Sequence, residues 1–142
     1  MRRQPAPHNS SIKLLAVEDD PSLAFVLEEA LAHNRDTPID ATMASKLSEA
    51  LRALDRDSFQ LVLLDLSLPD SDGIETLSRV RERQPEVPIV VLTGNDDPDL
   101  ARRIVELGVD AYLLKGEVGS RRLIEAIRDA VGRTPAAAAR LT

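Results

Sequence analysis

Five short apolar runs recur along the chain, at residues 12–17 (IKLLAV), 38–43 (PIDATM), 60–66 (QLVLLDL), 88–93 (PIVVLT) and 110–114 (DAYLL). The first, third and fourth are apolar almost throughout and do not alternate. That pattern marks strands covered on both faces, as in a parallel sheet with helices on each side. The run at 38–43 is the weakest. Helical stretches with clear punctuation separate the runs, near 21–33, 45–56, 73–83, 98–107 and 120–131. Asp20-Pro21 and Asp97-Pro98 each place a capping carboxylate before a proline at the first helical position. Asp72 with Glu75 reads as a capping box, and Leu107-Gly108 as a helix stop with glycine in the left-handed conformation. Five strand–helix alternations predict one doubly wound α/β domain over residues 12–132, a (βα)5 unit with a five-stranded parallel sheet. Residues 1–11 and 133–142 are polar or proline-containing and read as flexible tails, the second equally as the start of a linker.

The polar residues that end these strands carry the chemistry. Run one ends in Glu18-Asp19-Asp20, run three contains Asp65, run four ends in Thr93 and run five in Lys115. In a parallel sheet all four ends share one edge, the edge outside which ligands bind in such folds. Many strand-end aspartates only cap a loop, but Asp65 interrupts a buried strand, where a carboxylate is costly unless paired or metal-bound. Helix dipoles favour acids at helix starts, which accounts for Asp20 as a cap better than for Glu18 and Asp19, which precede the helix. Those two with Asp65 form an oxygen-rich cluster suited to Mg²⁺ or Mn²⁺. Lys115 is one of three lysines among 18 basic residues. It is either a stem lying on apolar surface or a compact charge for a phosphoryl oxygen. Thr93 suits a strand on propensity alone; in this company its hydroxyl is a donor to the same oxygen. A carboxylate nucleophile, a metal and a balancing cation are the parts of phosphoryl transfer.

Composition narrows the alternatives. The 142 residues suit one domain, and 43% hydrophobic with 30% charged residues is ordinary for a globular chain. Phe25, Phe59 and Tyr112 are the only aromatics, so the core is aliphatic and a base-stacking RNA surface is disfavoured. Net charge is -6, and Arg2, Arg3, Arg133 and Arg140 lie in the acid-free end segments, leaving the body more acidic still. Such a body does not hold nucleic acid by itself. The absence of cysteine excludes disulfides, thiol catalysis and cysteine-based zinc sites, and fits a cytoplasmic protein. The opening MRRQPAPHNSS lacks the apolar stretch of a signal peptide, and no run is long enough to span a membrane.

The segments VEDDPS at 17–22, LLDLSLPDSDG at 63–73, VLTG at 91–94 and AYLLK at 111–115, in this order and spacing, resemble the receiver domains of bacterial two-component response regulators. The resemblance covers about residues 12–131 and implies a flavodoxin-like strand order, 2-1-3-4-5. It implies a phospho-accepting switch rather than an enzyme, with Asp65 accepting a phosphoryl group from a histidine kinase or phosphotransfer protein. It further implies that Glu18, Asp19, Asp65 and the backbone carbonyl of Ser67 hold Mg²⁺, and that Lys115 pairs with Asp65 and then with the phosphoryl group. Thr93 and Tyr112 would be the switch pair, remodelling the surface of helix 4, strand 5 and helix 5, a possible output or homodimer surface. Pro69 and Gly73 would shape the loop after the acceptor. Two departures stand out. Glu18 occupies a position where aspartate is frequent. Gly116 replaces the proline that usually follows the lysine through a cis bond, so a trans, looser loop is expected.

Three rival readings fit the sequence less well. A receiver that binds partners without being phosphorylated would keep the same fold. A phosphatase with an aspartate nucleophile would place a second aspartate two residues on, where this chain has Ser67, and its histidines, His8 and His33, lie in a tail and at a helix end. A DNA-binding regulator would need a helix-turn-helix, which nothing after residue 132 supplies. Arg102, Arg103, Arg121, Arg122 and Arg128, in the last two helices, form a candidate basic patch for an acidic partner or a second copy; a solvated helix face is the plainer account of the same residues.

Overall fold

Alternate residues of each central strand face opposite helical layers, which is why those strands are apolar on both sides. The computed structural model describes residues 11–34, 37–94, 97–116 and 119–132; the end segments 1–10 and 133–142, read above as tails, lie outside them. Five strands, β1 (Ile12–Val17), β2 (Ile39–Ala44), β3 (Leu61–Asp65), β4 (Ile89–Thr93) and β5 (Ala111–Leu114), alternate with five helices. These are α1 (Pro21–Ala32), α2 (Leu47–Arg56), α3 (Ile74–Arg83), α4 (Pro98–Glu106) and α5 (Ser120–Gly132). All neighbouring strands are parallel, in the order β2-β1-β3-β4-β5, which is the flavodoxin-like arrangement. A two-rung antiparallel ribbon, Ser67–Leu68 against Ser71–Asp72, stands outside this sheet.

Leu15, Val17, Val62, Leu64 and Val91 pack under α2, α3 and α4, whereas Leu14, Ala16, Leu61, Leu63 and Val90 pack under α1 and α5. β3 is buried at every residue, and β2, the weakest run, is a mostly half-buried edge strand. Asp20 and Asp97 cap α1 and α4 as expected, each accepting from the backbone N–H two residues on. Gly108 ends α4 with φ +84°, the left-handed stop that the sequence suggested.

The capping box expected from Asp72 and Glu75 is absent. Asp72 belongs to the ribbon, and the residue before α3 is Gly73, with no side-chain cap. Gly73 turns the chain at φ +64°, ψ −144°, a conformation other residues rarely adopt, so Asp72 sits one position too early to cap. The start of α2 is also later than the expected 45. Ser45 stays outside the helix and gives its N–H to the Glu49 carboxylate at 2.8 Å.

Candidate functional site

Strand register brings the polar strand ends together. Val17 pairs with Leu64, Asp65 with Leu92 and Thr93 with Leu114, and the Lys115 N–H bonds the Thr93 carbonyl at 2.9 Å. Glu18, Asp65, Thr93 and Lys115 therefore sit at one carboxyl edge. Glu18 and Asp65 are both 2% exposed and Thr93 5%, while Asp19 is exposed beside them. Oxygens of Glu18, Asp19 and Asp65 all lie within 4.8 Å of one another.

Lys115 binds this cluster directly. Its Nζ stands 3.1 Å from Glu18 Oε1 and 3.1 Å from Asp65 Oδ2, and donates to Glu18 Oε2 at 3.3 Å. Asp65 Oδ1 accepts the Ser67 N–H at 3.0 Å, and Glu18 Oε2 accepts the Asp20 N–H at 3.1 Å. Burial pushes the Glu18 carboxyl above its ordinary range and the Asp65 charge adds to this, against the Asp20 N–H and Lys115, which lower it. Burial pulls the Lys115 ammonium down, but its bonds to Glu18 and Asp65 outweigh that and hold it above the ordinary lysine value. Two carboxylates thus share one cation in a water-poor corner. Glu18 Oε1 and Asp65 Oδ2 face Lys115 but have no aligned hydrogen-bond donor. Three hard oxygen donors, two of them with spare acceptor capacity, fit a small divalent cation.

A cleft of about 650 Å³ opens over Asp65, bounded by Ser67, Gly73, Thr93, Lys115 and, from α4, Leu100 and Arg103. Tyr112 lies half-buried on β5, in register with Val91, and packs against the core under α2, α3 and α4. A Cβ on Gly94 or Gly116 would meet nothing within 4 Å, and no peptide among the described residues is cis, including the one at Gly116.

The expected arginine patch does not gather on one face. Arg103 borders the Asp65 cleft and Arg102 pairs with Asp99 at 3.3 Å, whereas Arg121 and Arg128 line a groove between α1 and α5 with His33 and Asn34. Arg121 and Arg128, seven residues apart, share one side of α5 and border α1 there. His33 caps the C-terminal end of the 12-residue α1, about 18 Å of helix away from Glu18, so it is no base for Asp65.

Sequence reasoning missed the supports of the acceptor loop. Thr76, fully buried, meets the Ser71 hydroxyl at 2.7 Å and donates to the Leu66 carbonyl at 3.4 Å. Asp70 accepts the Leu47 and Ser48 N–H groups at 2.8 and 2.9 Å. One signal was present: Lys46, just before α2, is a residue type that cannot cap it, so the cap had to come from elsewhere.

Comparison with known proteins agrees with this geometry. The family model described as the response regulator receiver domain matches residues 14–128. The chain is 38% identical over 104 residues to the transcriptional regulatory protein PmrA of Pectobacterium parmentieri, covering 73% of this chain and 46% of that protein. Over 99 residues it is 32% identical to the DNA-binding transcriptional regulator NtrC of Escherichia coli K12, covering 70% of this chain and 20% of that protein. The chain thus spans less than half the length of these relatives. Among solved structures, a CheY-like response regulator receiver domain protein from Methanospirillum hungatei JF-1 superposes with a TM-score of 0.78 at 26% identity, over 87% of this chain and 96% of that one. The phosphorylated cyanobacterial phytochrome response regulator RcpA superposes with a TM-score of 0.68 at 28% identity, over 82% and 89%. With the family model spanning the sheet from β1 to α5 and the acidic cluster at its carboxyl edge, the chain belongs to the receiver domain family of two-component response regulators.

Proposed function

We propose that Asp65 is the phospho-acceptor of this receiver and that the chain works as a switch rather than a turnover enzyme. One observation carries the reading: Asp65 is a buried carboxylate at the end of the central strand, flanked by two acids and held by Lys115. An Asp65 carboxylate oxygen attacks the phosphorus of a phosphohistidine on a kinase or phosphotransfer protein. The P–N bond breaks, its electron pair stays on the imidazole nitrogen, and the product is an acyl phosphate. Lys115, already placed against Asp65, moves its charge to the new phosphoryl oxygens, and Thr93 donates its hydroxyl to one of them. Glu18, Asp19 and Asp65, with the Ser67 carbonyl, hold Mg²⁺, whose chemistry there is to neutralise charge on the attacking carboxylate and the phosphoryl group. Water attack on the acyl phosphate resets the switch.

The output surface in this reading is α4–β5–α5, because Thr93 leads toward α4 and Tyr112 lies on β5. With Arg121 and Arg128 turned toward α1, the α4 end of that surface, with Arg102, Arg103 and the exposed Val105 and Leu107, is the part offered to a partner or second copy. A cytoplasmic location goes with a receiver. Among the described residues no helix is long and apolar enough to cross a membrane.

Intact-mass spectrometry after incubation with acetyl phosphate and Mg²⁺ tests the acceptor. The parent gains the mass of one phosphoryl group and Asp65→Asn gains none; equal labelling of the two would sink the assignment. Amide exchange with and without beryllofluoride, a phosphoryl mimic, tests the surface, and changes confined to α1 and α2 would overturn it.

A further inference from the structure

Asp70 sits at the tip of the turn between the two ribbon strands, five residues beyond the acceptor and outside the acidic cluster. Its carboxylate does not face the metal-binding corner. It crosses to α2, where Oδ1 accepts the Leu47 N–H at 2.8 Å and Oδ2 the Ser48 N–H at 2.9 Å. These are two of the unpaired N–H groups that every helix start leaves. The ordinary cap position is occupied by Lys46, which makes no capping bond. A residue from the acceptor loop, 23 positions away in sequence, thus replaces the local cap.

The geometry points to Asp70 as a positioning residue for the acceptor site, tethering the loop that carries Ser67 to the start of α2. The ribbon has only two rungs, Ser67 with Asp72 and Leu68 with Ser71, and an isolated two-stranded ribbon has little stability of its own. Its base is fastened by the Gly73 N–H on the Leu66 carbonyl at 2.8 Å and by the Ser71–Thr76 hydroxyl pair. Its tip is fastened by Asp70. Ser67, in the first ribbon strand, gives its N–H to Asp65 Oδ1 at 3.0 Å. A ribbon free to swing at its tip would carry that N–H, and the carbonyl of the same residue, away from the acceptor. Charge-assisted bonds to two backbone N–H groups are strong enough to hold the tip, and the helix dipole at α2 favours the carboxylate there.

This inference rests on the metal site proposed above, so the test separates the two. Mg²⁺ affinity is measured by titration calorimetry, and the thermal midpoint in EDTA, for the parent, Asp70→Ala, Asp70→Asn and Asp70→Ala combined with Lys46→Asp. Lys46 has extended backbone, φ −156°, ψ 164°, which suits a capping residue, so Lys46→Asp restores the α2 cap without restoring the tether. Asp70→Ala should weaken Mg²⁺ binding roughly tenfold, the low end of the effect of removing a ligand's support, and lower the midpoint. The double variant should regain the midpoint while Mg²⁺ binding stays weak. Should Asp70→Ala fail to fold, Asp70→Asn, which keeps one acceptor oxygen, should bind with intermediate affinity. Unchanged Mg²⁺ affinity in the Asp70 variants, or recovery of affinity together with the midpoint in the double variant, would overturn the tether and leave Asp70 a helix cap. A parent that binds no Mg²⁺ would overturn the metal site and the tether with it.

Discussion

Lys115→Met keeps an unbranched apolar stem and removes the ammonium that two buried carboxylates share. At 3.1 Å from each, that ammonium supplies about 5 kcal/mol of gross attraction per carboxylate at an effective dielectric of about 20. Without it, Glu18 and Asp65 oxygens no more than 4.8 Å apart repel by about 3.5 kcal/mol on the same scale. Removing one partner of a buried pair costs roughly 3–5 kcal/mol in practice. The chain has one relief, a proton on Glu18, whose carboxyl already lies above its ordinary value of 4.5. A carboxyl raised in the folded state is stabilising when protonated. That contribution is full below 4.5 and lost as pH rises through the folded value. Proton uptake from the ordinary value costs about 4 kcal/mol at about pH 7.5 and about 1.4 kcal/mol at about pH 5.5. The loss of stability in Lys115→Met, relative to the parent at the same pH, should therefore be about 3–4 kcal/mol near pH 7.5. It should be smaller by about 2 kcal/mol near pH 5.5. Urea unfolding in EDTA followed by far-ultraviolet circular dichroism measures it, since the chain has no Trp. Adding Glu18→Gln should recover most of the loss near pH 7.5. A loss that does not change between the two pH values, or that Glu18→Gln leaves intact, would refute the shared-cation account.

Two further outcomes follow from the backbone. A Cβ at either Gly73 or Gly108 meets nothing within 4 Å, so alanine there costs only conformational strain. Gly108→Ala, at φ +84°, should lose about 1–2 kcal/mol and Gly73→Ala, at φ +64°, ψ −144°, about 2–3 kcal/mol; urea midpoints equal to the parent's would contradict this. Arg81 donates to the carbonyls of Gln84, Pro85, Val87 and Gly108 at 2.6–3.5 Å, tying the end of α3 to the end of α4. Arg81→Met should cost about 2 kcal/mol by leaving carbonyls unpaired; a urea midpoint equal to the parent's would show that water replaces those bonds.

Elements whose signal is local were legible in the sequence. The continuous apolar runs at 12–17, 60–66 and 88–93 became the buried strands β1, β3 and β4 within a residue or so. Asp20 and Asp97 cap through bonds spanning two residues. The Asp72–Glu75 pattern misled because it describes a helix start without the turn before it, and Gly73, with its positive φ, occupies the position that Asp72 was expected to hold. The arginines misled for a related reason. Their closeness in sequence says that they lie on α4 and α5, but not which side of α5 each one faces.

Chain order by itself determined the doubly wound class, the strand ends and which polar residues stand there, because periodicity and capping act over a few bonds. Only the tertiary structure decided that Lys115 touches Glu18 as well as Asp65, and that both carboxylates lie almost out of water. It alone decided that Asp70 caps a helix 23 residues away. Those contacts depend on parallel strand register and on which loop folds over which helix end. The sum of packing over the whole sheet sets both, and no single stretch of sequence carries that sum.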